Sequence, residues 1–158
     1  MNYTVRNVPV FRLLLALLFP VMMIISGCTV TLVSKYDEQT DANVTALQKK
    51  LETYFLKLDG ASYPDCSFAA NKSFYDEVTI QLSSAQVRVN AIPRNDITIQ
   101  QLDALSKAIA DLKIAQKLRD GKSSCLPTEI VTTDRTMFNS IFTAILKFEL
   151  AKKRGEAN

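Results

Sequence analysis

Residues 67–92 read SFAANKSFYDEVTIQLSSAQVRVNAI, and within them Tyr75, Val78, Leu82, Ala85, Val89 and Ile92 recur at alternating intervals of three and four. That spacing puts six apolar side chains on one face of a helix, which needs other helices to cover it. Thr79, Ile80 and Val87 are β-branched and lie off the stripe, a composition that also suits a strand, but the length of the periodic pattern decides for a helix. Ser67 is the candidate N-cap, and Pro93 stops the helix because it has no N–H to offer. The fold then turns on whether the rest of the chain supplies matching stripes.

Upstream, Tyr36-Asp37-Glu38 opens a helix with acids where the positive end of the helix dipole favours them, and Val44, Leu47, Leu51, Tyr54 or Phe55, and Leu58 form its stripe. Gly60 supplies a left-handed stop. Downstream, Thr98-Ile99-Gln100-Gln101 reads as a capping box with Thr98 as N-cap, and Ile97 with Leu102 as its hydrophobic staple. Leu102, Leu105, Ile109 and Leu112 follow, joined by Ala108, Ala115 and Leu118, with Asp103 and Lys107 as an i,i+4 pair and Gly121 at the end. The last helix has Pro127 in its first turn and a face of Phe138, Ile141, Ile145 and Phe148, widened by Phe142 and Leu146. Asp134 offers it a second start, which would leave 128–133 as a separate turn. Four such helices with short links predict an all-α, antiparallel up-down-up-down four-helix bundle over residues 36–154, followed by a frayed tail at 155–158. The same stripes also suit two hairpins closing as a dimer.

The chain begins differently. Arg6 and Arg12 precede an apolar run from Leu13 to Ile25 that is interrupted by Pro20, the layout of a secretory signal and shorter than the roughly 20 residues of a membrane span. It ends in Ile25-Ser26-Gly27-Cys28, which resembles the lipobox of bacterial lipoproteins: an aliphatic residue, two small residues and a cysteine. The resemblance implies a diacylglycerol thioether on Cys28, cleavage that removes residues 1–27 as a signal peptide, and a further acyl chain such as palmitate on the freed amine. Residues 28–35 then form a lipidated tether. The alternative is an uncleaved anchor from about Leu13 to Val33. Thr29 stands where an Asp would retain a lipoprotein at the inner membrane of enteric bacteria, so the resemblance favours the outer membrane, facing the periplasm. The body of the chain, notably Tyr36–Leu58 and Ala144–Gly155, resembles small helical bacterial lipoproteins of no assigned activity, which adds a class and no role.

Once Cys28 is lipidated, Cys66 and Cys125 remain, and in an oxidising compartment an even remainder reads as a disulfide, with two free thiols as the alternative. An up-down-up-down bundle brings its first and third connections to one end, where both cysteines fall. A metal site is not expected, since the chain has no histidine and no C-x-x-C spacing. The formal charge of +3 includes Arg6 and Arg12, so the mature chain is close to neutral and nucleic acid is not an expected partner.

No acid–base histidine, G-x-S-x-G elbow, H-E-x-x-H or phosphate-cradling glycine loop is present, so neither catalysis nor a cofactor is expected. Asp37-Glu38 and Asp76-Glu77 are adjacent acids that point in different directions on a helix. Tyr54, Phe55, Phe74, Tyr75, Phe138, Phe142 and Phe148 either line a chamber for a small apolar ligand or simply fill the core. The preferred reading is a structural or protein-interaction module, anchored in the membrane through lipid on Cys28, whose partner is an envelope protein or the cell wall. Ile80, Val87, Ile114 and Leu150, if exposed, would mark its contact surface. Lys152-Lys153-Arg154 would lie at the membrane-proximal end, either touching anionic headgroups or complementing the helix dipole in solvent.

Overall fold

The structure, a computed structural model, describes residues 32–156. The signal segment and Cys28 lie outside the described residues. The carboxylate of Asp37 caps the first helix by accepting the backbone N–H of Thr40 at 2.9 Å and its hydroxyl at 2.6 Å. From there α1 runs Glu38–Leu58 and buries every member of its predicted stripe, Tyr54 and Phe55 both included. The chain turns at Gly60, whose φ of +79° is the left-handed conformation expected there.

Three further helices follow: α2 (Lys72–Asn90), α3 (Asp96–Asp120) and α4 (Thr128–Glu156). Among the described residues all regular structure is helical. Each helix packs on two neighbours, α1 on α2 and α4, and α3 on the same two, which closes a four-helix bundle. Cross-links between helices show the antiparallel order. Arg88, late in α2, grips Asp37 at the start of α1, Gln86 of α2 donates to Asp103 of α3, and Arg135, early in α4, pairs with Glu52 late in α1.

The core is the sum of the stripes. Tyr75, Val78, Leu82, Ala85 and Val89 of α2 are buried against Leu102, Leu105, Ile109 and Leu112 of α3 and Phe138, Phe142 and Ile145 of α4. The structure departs from the sequence reading at three helices' boundaries and at Leu118. Helix α2 starts at Lys72 and not near Ser67; the Ser67 hydroxyl instead accepts the N–H of Ala70 within a separate turn, which Asp120 caps by accepting the N–H groups of Phe68 and Ala69. Helix α3 starts at Asp96, so Thr98 is inside its first turn and not its N-cap, Ile97 is exposed, and the Gln101 side-chain oxygen has no hydrogen-bond partner. Helix α4 runs unbroken through Asp134 and on to Glu156, so neither a separate 128–133 turn nor fraying from Gly155 is seen. Leu118, expected in the core, is exposed, and its place is taken by buried Gln116.

Candidate functional site

The two cysteines meet. Cys66, in the turn before α2, is joined by a disulfide to Cys125, in the connection before α4, with Cα atoms 5.5 Å apart. Beneath this staple lies a buried polar trio. Tyr54 and Tyr75 each donate a hydroxyl hydrogen to Oε1 of Gln116 at 2.6 Å, and Nε2 of Gln116 donates to the carbonyl of Cys66 at 2.7 Å. Burial pushes both phenols above the ordinary tyrosine range. One glutamine therefore ties α1, α2, α3 and the disulfide loop together.

The opposite end of the bundle carries a second buried cluster. Lys152 Nζ donates to Glu149 Oε1 at 2.7 Å, and to Thr98 Oγ1 and Asn95 Oδ1 at 2.8 Å each. Thr98 donates to the same Glu149 oxygen, and Asn95 donates to the Val89 carbonyl. Into this cluster reaches the N-terminal segment: the Ser34 hydroxyl donates to Asn95 Oδ1 at 2.8 Å and its N–H to the Arg94 carbonyl at 2.9 Å. The segment expected to be a free tether through residue 35 is thus fastened to the bundle from Ser34 onward. Lys152, expected among solvent-facing cations, is buried and engaged within the fold, whereas Lys153 and Arg154 are exposed.

The adjacent acids part company. Asp37 faces Arg88, whose guanidinium holds its carboxyl far below the ordinary range, while Asp76 pairs with Lys72 and Glu77 with Lys50. Asp103, expected to pair with Lys107, accepts from Gln86 instead. Among the described residues no group of three or more His, Cys, Asp or Glu is placed to hold a metal ion, and no helix is long and apolar enough to cross a membrane.

Of the aromatic residues offered as a ligand chamber, Phe55 packs against Phe138 with ring centroids 5.5 Å apart, and Tyr75 packs edge-on to Tyr54 and Phe74. Tyr54, Phe55, Tyr75 and Phe138 fill the core, and the half-buried Phe74 packs against its edge. At the edge of the core, an open furrow of about 580 Å³ lies between α1 and α2, where Phe74 stacks on the buried Tyr54 ring at 3.6 Å and Lys49, Lys50 and Lys57 line the sides. Sequence periodicity missed it because Phe74 lies beside the α2 stripe, next to Tyr75, and the lysines read as ordinary exposed charge. The exposed apolar residues include Ile80 and Val87 on α2, Ile114 and Leu118 on α3, and Leu150 on α4, so all four offered as contact residues are at the surface. Comparison of the chain with protein-family models, curated proteins and solved structures finds no match.

Proposed function

We propose that this is a lipoprotein of the bacterial cell envelope, acylated at Cys28 and held at the outer membrane facing the periplasm, whose helical bundle is a structural or protein-interaction module. The observation that carries the reading is the fastening of Ser34 to Asn95 and Arg94, only a few residues beyond the lipobox. A stretch from Cys28 to Ser34 spans at most about 20 Å when extended, so an acylated Cys28 would keep this end of the bundle close to the bilayer. Lys153 and Arg154 project at the same end and would meet anionic headgroups, while the disulfide end would point into the periplasm.

The exposed Ile80, Val87, Ile114 and Leu150 support a contact surface for an envelope protein or the cell wall. The test is the intact mass of the protein from its native membrane fraction, with and without reduction before alkylation. The expected mass lacks residues 1–27, carries acyl chains and gains two alkyl groups only after reduction. A full-length, unacylated mass would overturn the reading.

A further inference from the structure

The furrow between α1 and α2 combines two chemistries that a solvated helix surface does not need together. Its floor is apolar, formed by Phe74, which stacks on the buried Tyr54 ring, and by Ala46. Its rim is cationic: Lys49 and Lys57 lie two turns apart with Thr53 between them, and the acid that lines it, Glu77, is already bridged to Lys50 at 2.7 Å. Ala46 also lines a neighbouring hollow of about 300 Å³, together with Ile80, which is 69% exposed, and Gln81, whose Oε1 is buried without a hydrogen-bond partner.

We infer that this furrow binds a single-chain amphiphile with a carboxylate head. The head belongs on the lysine row, where it would displace the exposed Glu77 from Lys50 at little cost, because surface ion pairs are weak. The chain lies along Phe74 and Ala46 toward Ile80, covering apolar surface that water now touches. The volume falls within the range of small-molecule sites. A purely apolar ligand would make no use of the lysine row, where Lys50 now bridges Glu77 and Lys57 donates to Asn71 Oδ1 at 2.8 Å, and a purely polar anion would leave the Phe74 floor wet. The inference does not depend on acylation at Cys28.

The experiment is photo-crosslinking of the full chain in phosphatidylcholine nanodiscs, with a diazirine-bearing dodecanoate as probe and the same chain carrying a trimethylammonium head as control. Labelled peptides are mapped by mass spectrometry. The carboxylate probe should label residues 46–57 and 70–84, compete with unlabelled laurate, and label about tenfold more than the cationic control. The pair Lys49→Gln and Lys57→Gln, both at exposed positions, should lower labelling by about the same factor without changing the helical circular dichroism. Equal labelling by the two heads, labelling centred on Val87 or Leu118, or none at all would overturn the inference.

Discussion

Lys152 Nζ lies 2.7 Å from Glu149 Oε1, one turn back along α4, and the two side chains have almost no solvent exposure. Both charges have lost their water, and what replaces it is their mutual attraction together with Thr98 and Asn95. Such a pair contributes little net stability compared with apolar residues of the same shape, yet removing one member strands the other. The cluster also joins the start of α3, the end of α4 and the segment at Ser34, so its loss would be felt by all three.

Lys152→Met should therefore cost about 3 to 5 kcal/mol in urea denaturation at neutral pH, because the Glu149 carboxylate stays buried without its cation. Combining it with Glu149→Leu should recover much of that loss. A double variant as unstable as the single would show that the pair itself, and not the stranded charge, carries the energy.

Gln116 sets a second expectation. Gln116→Leu leaves two buried phenols and the Cys66 carbonyl without their shared partner, and should cost about 2 to 4 kcal/mol. Tyr75→Phe removes one hydroxyl and leaves Tyr54 bonded to Gln116, so about 1 kcal/mol is expected. Chemical denaturation of the two variants side by side checks the order.

The disulfide closes a loop with a sequence separation of 59 residues. Constraining an unfolded loop of that size contributes about 4 kcal/mol on the chain-entropy account. The double variant Cys66→Ser, Cys125→Ser should unfold at correspondingly lower urea, and its midpoint should not respond to added reductant. A reductant-sensitive midpoint in the parent protein completes the comparison.

Asp37 has two jobs, capping α1 and pairing with Arg88, and they separate by substitution. Asp37→Asn keeps a capping oxygen and loses the ion pair, so about 0.5 kcal/mol is expected, whereas Asp37→Ala loses both and should cost about 1 to 2 kcal/mol. The folded protein holds this carboxyl below its ordinary value of 3.8, with the Arg88 hydrogen bonds as the main cause. Its contribution is therefore complete above about pH 4 and is lost as the pH falls below that value. Acid titration of unfolding should show a smaller loss below pH 4 for Asp37→Asn than for the parent.

The periodic stripes of α1, α2 and α3 were legible because burial of one helix face is written directly into the spacing of Val44 to Leu58, Tyr75 to Val89 and Leu102 to Leu112. With the helix count and the short connections they determine an all-α bundle, and the placing of Cys66 and Cys125 in its first and third connections agrees with the observed disulfide. The Gly60 turn was equally local, since a positive φ favours glycine whatever surrounds it.

What only the tertiary structure decided is where polar groups go. Thr98 has the sequence setting of an N-cap, but Glu149 and Lys152 arrive from α4 and claim its hydroxyl, so the helix begins at Asp96. Lys152 reads as a solvent-facing cation, and Gln116 has no place in an apolar stripe, yet both are buried because other helices bring them partners. The lysine-rimmed furrow exists only once α1 and α2 lie side by side. Apolar periodicity is a property of one helix and can be read from its spacing, whereas a hydrogen-bond partner far away in the chain exists only after the helices have packed.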